Sequence, residues 1–548
     1  MSTHRPAHPR GWCLATLLLS TSLGCTGKAP EDSAKEPAAD TVTVDSGDSA
    51  QPRIDDERLV LGEPVECLEG DSVSWTEIGE EMGLRGTAAP FDGELFHGGA
   101  LGVEDFDADG DLDILVGWKE SEPVLFVLED MVVEYGSTMP SRAPISFSIA
   151  DVDSDGLLDV FMGSKGRPAF LRNLGDNIFE QIQHPEWDNQ RRVKEFIPGD
   201  FDGDGHIDFY ALQRGSGDDP SIRTDTMLWG EGDWEWTVDH DALPADAVDG
   251  VGFDAVTVDW DDDGDLDVYV TNDHGAWYGP NALLVNEGDR TFRDGSEDCT
   301  CGVQQAAMGT DARDYTGDGI VDLMTSDAHG NLVLMGLDDR TYVDVTTSSG
   351  LDLPEEDIEM GWAVLFLDWN NDGDQDLLFA QGELAFNADD DKVRGGDANP
   401  GYGLLLWDND GTGQFSEISE SLGLDQTSNL RSLVATDMNG DGVLDLVVAP
   451  IRERPLVYLS DGCTTAGWLE VQGPTGSKVT VTDGERTQVA WITRESSLGS
   501  AGPAVLHFGL GQQARIDTLE VVLPGGETLR RFDFDANRRL QVDLTLQE

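Results

Sequence analysis

The sequence predicts an all-β protein: a seven-bladed β-propeller followed by a small β-sandwich. Three observations predict it. A nine-residue acidic loop, Asp-x-(Asp/Asn/Thr)-x-Asp-Gly-x-x-Asp, recurs seven times at intervals of 46 to 69 residues. Short β-branched and aromatic runs flank each copy, as strands do. The last unit stops one strand short, and a matching strand stands at the other end of the repeats. Repetition at such a period marks an array of similar supersecondary units.

The chain opens on an export-type segment. Arg5 and Arg10 precede the apolar run Trp12–Leu19, which is too short to span a bilayer, and Ser22-Leu23-Gly24-Cys25 follows. The segment resembles a bacterial lipoprotein signal with Cys25 as the lipidated residue; Ser22 stands where such signals carry Leu. Residues 1–25 are therefore read as signal and 26–60 as a disordered acidic tether, rich in Ala, Asp, Ser, Glu and Pro. The membrane is met only through the lipid anchor.

Residues 61–464 are read as the propeller. Runs such as Ala255–Val258, Ala363–Leu367 and Ser432–Ala435 precede the loops; Ile114–Val116, Val160–Met162 and Leu446–Val448 follow them. A second hairpin comes next, as in Leu284-Val285-Asn286 and Asp289-Arg290-Thr291-Phe292, giving about four strands per unit. An open sheet of about 28 strands would lie far outside normal size, so the array is expected to close. Unit seven ends near Cys463 without a fourth strand. Ser74-Trp75-Thr76-Glu77-Ile78 resembles Phe415-Ser416-Glu417-Ile418 of unit six, so Val73–Ile78 is expected to complete it and remove two exposed edges. Cys67 and Cys463 flank this seam and are expected to form a disulfide, leaving Cys299 and Cys301 to pair together or stay free.

The loops have the chemistry of a calcium site. Calcium takes six to eight oxygens, and a tight turn presents side chains one, three and five on one side, with Gly at six for the bend and a carboxylate at nine. The candidate ligands are Asp105, Asp107, Asp109 and Asp113; Asp151, Asp153, Asp155 and Asp159; Asp200, Asp202, Asp204 and Asp208; Asp259, Asp261, Asp263 and Asp267; Asp314, Asp318 and Asp322; Asp368, Asn370, Asp372 and Asp376; and Asp437, Asn439, Asp441 and Asp445. Up to seven Ca²⁺ ions are implied. Thr316 at position three makes the fifth loop the weakest, and the fourth is among the tightest. An EF-hand needs Glu at position twelve between helices, but these loops carry residues such as Val116, Met162 and Phe379 there, in strand-like runs. Thrombospondin-type calcium repeats are more closely packed and richer in cysteine.

Lys plus Arg is 34 against 108 for Asp plus Glu, a formal charge of −74, and 29 of the acidic residues lie in the seven loops. That balance argues against nucleic acid, which needs a basic footprint.

These units resemble FG-GAP or VCBS repeats of integrin-like β-propellers. The stretch 465–548, with His507-Phe508-Gly509-Leu510-Gly511 and Val521-Val522-Leu523-Pro524-Gly525-Gly526, resembles the ASPIC/UnbV domain. Both parts together are similar to the cartilage acidic protein family and its bacterial relatives. Taken with the export-type segment, the expectation is an exported, surface-anchored, monomeric protein for adhesion or for binding a protein or glycan. Gly473–Val479 departs from the family pattern.

No His-Glu-x-x-His, Gly-x-Ser-x-Gly or P-loop pattern occurs. Gly509–Ala514 fits a dinucleotide fingerprint but lacks the strand–turn–helix context, and His507 reads as a packed or turn histidine. The alternatives to adhesion are a polysaccharide-active or other hydrolytic enzyme on a propeller scaffold, which a buried pair of unchelated carboxylates in the central channel would favour, and a structural envelope protein. The face opposite the acidic loops receives long aromatic connections. Trp118, His274, Trp277, Tyr278 and Tyr402, the last in Ala385–Tyr402, are the candidate ligand-binding residues.

Overall fold

Each acidic turn reverses the chain between two apolar strands, and this sets the unit of the fold. In the computed structural model, unit four runs Gly252–Val258, Asp267–Asn272, Ala282–Asn286 and Phe292–Asp294, each strand antiparallel to the one before. The structure describes residues 53–546 apart from 66–72, 87–98, 119–120, 142–143, 165, 184–192, 215–223, 246, 249, 328–329, 338, 352–359, 383–402, 425–427, 452, 461–464 and 485. Among the described residues seven such four-stranded meanders occur. Their first strands are Ala100–Glu104, Pro144–Ala150, Val193–Gly199, Gly252–Val258, Ala307–Arg313, Gly361–Leu367 and Leu430–Thr436. These are almost wholly buried and pack in cyclic order, the seventh returning to the first, so the fold is a closed propeller.

The seam is built as the repeat pattern predicts. Trp75–Glu77 pairs antiparallel with Leu456–Ser460, placing Trp75 opposite Ser460 and Glu77 opposite Tyr458. The Trp75 indole donates to the Leu444 carbonyl at 3.0 Å, and Glu77 meets Arg454 at 2.6 Å. Cys67 and Cys463 lie outside the described residues, as does Cys25. Cys299 and Cys301 form a disulfide with each other.

In units two to seven the ladder between the first two strands slips near the start of the first strand. The breaks fall at Pro144/Ser146, Val193/Glu195, Gly252/Asp254, Ala307/Thr310, Gly361/Val364 and Leu430/Ser432. A bulge of this kind re-aims a side chain, and here it does so at one level around the axis.

The C-terminal region is a sandwich. Gly467–Gln472, Val505–Gly511 and Arg538–Val542 share one sheet; Lys478–Asp483, Arg486–Trp491, Arg515–Val522 and Thr528–Asp535 form the other. Leu469, Val471, Val479, Phe508, Leu519, Val521 and Leu540 fill the space between them. The expected tether to residue 60 is corrected here. Leu59–Leu61 is a strand paired with Arg538–Val542, and Leu59 is fully buried in the sandwich core. Its apolar Leu-Val-Leu sequence covers an otherwise open edge, so the first strand of the described chain belongs to the sandwich and not to the propeller.

Between Trp491 and Val505 the sandwich extends a tip. Glu495–Ser496 turns back to Ser500–Ala501, which pairs in parallel with Leu101–Gly102 on the innermost strand of unit one.

Candidate metal centres

The seven acidic turns have one hydrogen-bonding plan. The position-one carboxylate accepts the N–H of the position-six glycine in every loop, at 2.7 to 3.5 Å. The position-five carboxylate accepts the position-seven N–H at 2.9 to 3.0 Å. The glycine at six has φ between 86° and 102° in all seven copies. Position four is also left-handed, with φ from 56° to 78°, although it is Ala108, Ser154, Asp262 or Asn371 in four loops. Two left-handed residues within three positions curl the turn tightly enough for the side chains to converge.

Position nine serves another purpose besides the ligand role expected of it. Each of these seven carboxylates accepts the N–H of position two and a second N–H from the third strand of its own unit. For Asp267 these are Trp260 at 2.8 Å and Asn286 at 2.7 Å; for Asp445 they are Met438 at 2.9 Å and Ser460 at 2.7 Å. The carboxylate staples the loop to the sheet. Burial raises it: Asp113 to about 7, and Asp159, Asp208, Asp267 and Asp322 to about 8. Burial also lifts position one, to about 6 at Asp259. Burial thus disfavours the charged form of these carboxyls, a cost that a bound cation would offset.

Calcium is the ion that this loop type implies, and the donor set of four loops fits it. Carboxylate oxygens of Asp105, Asp107 and Asp109, of Asp151, Asp153 and Asp159, of Asp200, Asp202 and Asp208, and of Asp259, Asp261 and Asp263 converge within 4.8 Å of one another in each set. In each of these loops one carboxylate oxygen is buried without a partner: Asp107 Oδ1, Asp153 Oδ1, Asp200 Oδ1 and Asp261 Oδ1. Oxygen-only donors with such orphaned atoms suit a hard cation. The fifth, sixth and seventh loops, with Asp314, Asp318 and Asp322, with Asp368, Asn370, Asp372 and Asp376, and with Asp437, Asn439, Asp441 and Asp445, form no such group among the described residues.

Two sets of neighbours were not read from the sequence. The turn between strands three and four of the next unit reaches each of the first three loops. Asn177 donates to Asp107 at 2.7 Å, Trp234 donates to Asp153 at 3.0 Å and Arg290 donates to Asp202 at 2.5 Å. Their only sequence signal is an Asp-x dipeptide at the hairpin turn. The sandwich covers other loops. Lys478 meets Asp262 at 2.5 Å, Arg486 donates to the Asp372 carbonyl at 2.8 Å, and Arg539 meets Asp437 at 3.1 Å. His507 is buried as a packing residue, 2.6 Å from Asn371, with Trp468 stacked on its ring.

The candidate ligand-binding residues divide. Trp118 is 2% exposed and its indole donates to the Glu453 carbonyl, which removes it from any exposed platform. Trp277 is 77% exposed and Tyr278 43%. They lie on the short helix Gly275–Tyr278 with His274 edge-on to both rings. Tyr402 and the run 385–402 lie outside the described residues.

The fold and loops define a β-propeller of FG-GAP-like repeats, which match that family at residues 151–211, 259–325 and 383–448, joined to an ASPIC and UnbV domain matched at residues 473–547. The particular likeness is to cartilage acidic protein 1. The human protein is 25% identical over 285 residues, 48% of this chain and 40% of the relative. The mouse protein is 22% identical over 400 residues, 61% of each. The chain thus spans less than two thirds of these relatives. Among solved structures, an Agrocybe aegerita lectin that recognises non-reducing terminal N-acetylglucosamine is 17% identical with a TM-score of 0.39, covering 61% of this chain and 84% of the lectin. No helix among the described residues is long and apolar enough to cross a membrane.

Proposed function

We propose that this is an exported, calcium-binding propeller that binds an extracellular protein or glycan ligand and is held at the cell envelope by a lipid on Cys25. One observation supports the calcium reading above all: four separate loops each gather three carboxylates around a buried oxygen with no partner. The ion would give the partnerless oxygens of Asp107, Asp153, Asp200 and Asp261 a partner and offset the repulsion among the carboxylates of each loop. Equilibrium dialysis with ⁴⁵Ca²⁺ tests this. About four ions per chain are expected, and Asp261→Ala should remove one; no bound calcium at millimolar supply overturns the reading. Fatty-acid labelling that persists in Cys25→Ala would exclude the anchor.

The exposed His274, Trp277 and Tyr278 group supports ligand binding on the face away from the acidic loops. Aromatic side chains held on a short, backbone-anchored helix offer contact area at low entropic cost. Replacing Trp277 and Tyr278 with Ala should abolish adhesion to matrix or glycan surfaces while leaving the melting temperature unchanged.

The enzyme reading has one specific observation in its favour. Glu195 and Asp254 are buried carboxylates that interact with each other on the axial side of the first strands, and neither belongs to an acidic loop. Hydrolysis of a polysaccharide panel by the wild-type chain, and its loss in Glu195→Gln, would decide for that reading.

A further inference from the structure

The six bulges set a ring of residues around the propeller axis, and the sandwich tip is bound to that ring. Leu498 donates its N–H to Asp254 at 2.9 Å, and Ser432 donates to the Leu498 carbonyl at 2.9 Å. The N–H of Val364 donates to the Ser497 hydroxyl at 3.0 Å, and that of Phe147, beside the bulge residue Ser146, donates to the Gly499 carbonyl at 3.0 Å. The hydroxyls of Ser496 and Ser500 both donate to the Leu433 carbonyl, at 2.9 and 3.0 Å. Unit one, whose first two strands pair without a slip, receives the tip by strand pairing instead. The Leu498 side chain is 5% exposed, in the same apolar cluster as Phe253, Met308, Trp362 and Leu433. A Cβ on Gly499 would stand 2.7 Å from that of Ser146, so only glycine passes there.

This is how a peptide ligand is held: main-chain bonds along an edge, one aliphatic anchor in a pocket, and small residues where the walls are close. The propeller needs nothing from the tip to be complete, since its first strands already close on one another and each unit has its four strands. The docked tip also leaves free energy unclaimed. Both Glu495 carboxylate oxygens and Glu195 Oε2 are buried without a partner, and an orphaned buried polar atom is destabilising. Leu498 is held at φ 63°, a left-handed conformation that residues other than glycine rarely adopt.

We propose that the axial channel of the propeller is a binding site for a serine- and glycine-rich hairpin turn with one aliphatic anchor, and that residues 495–501 of the sandwich are its resident, displaceable occupant. Tethering in the same chain gives the tip a high effective concentration, so a free peptide of equal intrinsic affinity does not compete while the tip is in place. Weakening the tip opens the site.

The test uses the full-length chain and a labelled peptide with the sequence of residues 493–503. Wild type should not bind it. Leu498→Asp, which sets a carboxylate in the apolar pocket of Phe253, Met308 and Trp362, should bind it saturably, and unlabelled peptide should compete whereas the same peptide carrying Leu498→Asp should not. A Leu498→Asp chain that keeps its near-ultraviolet circular dichroism yet takes up no peptide at millimolar concentration refutes the proposal. Hydrogen exchange on wild type gives a second reading that requires no variant to fold. The amides of Leu498, Val364 and Phe147 should be at least about tenfold less protected than that of Phe366, which bonds Asp311 and not the tip. Equal protection of all four would make the tip a fixed part of the core and overturn the idea.

Discussion

Asp267 illustrates how one aspartate both builds and charges a loop. Its two oxygens hold Trp260 and Asn286 from opposite sides. Asp267→Asn keeps the shape but replaces one acceptor with a donor facing an N–H. It should destabilise the calcium-free chain by about 1–3 kcal/mol, the cost of leaving a buried donor unsatisfied, measurable by urea unfolding. Gly264→Ala makes a cleaner test of the turn. No atom lies within 4 Å of its would-be Cβ, so the φ of 93° is the whole constraint. A cost of about 1–2 kcal/mol is expected from the left-handed conformation alone, and a thermal melt unchanged from wild type would count against it. Asp225 is a third case. It is buried, accepts hydrogen bonds from Tyr210 and from the Gln213 N–H, and burial raises it to about 7. A carboxyl raised in the fold contributes stability that is present below its ordinary range, near 3.8, and lost as pH rises through about 7. Asp225→Asn should therefore flatten the fall in melting temperature across that window; an unaltered slope would show that Asp225 does not cause it. Spacing and residue type made positions one, three, five, six and nine legible. The left-handed φ of position four was not, because Ala108 and Ser154 carry no signal for it, and the stapling role of position nine depends on a third strand that local sequence does not locate.

At the scale of the strand, the repeats were readable because short β-branched and aromatic runs and a fixed loop recur together, and the seam was readable because Trp75–Glu77 copies the fourth strand of unit six. Leu59–Leu61 and Glu495–Ala501 were not. Both are two- or three-residue pairings with partners hundreds of residues away, too short to show alternation. Trp118 misled for a related reason: an aromatic residue beside Lys119 looks like a surface loop until a distant segment supplies its cover, here the Glu453 carbonyl. Leu59→Ala should cost about 2–5 kcal/mol, since it empties a fully buried site. The loss should appear in the amides of Arg538–Val542 by hydrogen exchange before it appears in unit one; a uniform loss would mean that sandwich and ring unfold as one unit.

For the whole molecule, charge decides the conditions under which the fold is comfortable. A formal charge of −74 opposes compaction, and much of it sits in seven turns at one end of the propeller. The sandwich offsets part of this with Lys478, Arg486 and Arg539, while the second loop has Arg172 of its own unit and the third has Arg290 of the next. Calcium should therefore stabilise the propeller half of the molecule most. Ions bound only by the native state at one hundred times their dissociation constant add about 2.7 kcal/mol per site, so adding a chelator should lower the melting temperature by many degrees. An equal melting temperature with and without chelator would exclude a stabilising role.

The strand Trp75–Glu77 lies near the front of the chain and its partner Leu456–Ser460 near the back. A nascent polypeptide emerging front end first must therefore carry six nearly finished units with no lock until the seventh has been made. Contacts of such long sequence separation form slowly. During that wait the apolar faces of units one and six that later pack against unit seven stay exposed, so the interval between the end of synthesis and ring closure is when this protein most needs a chaperone.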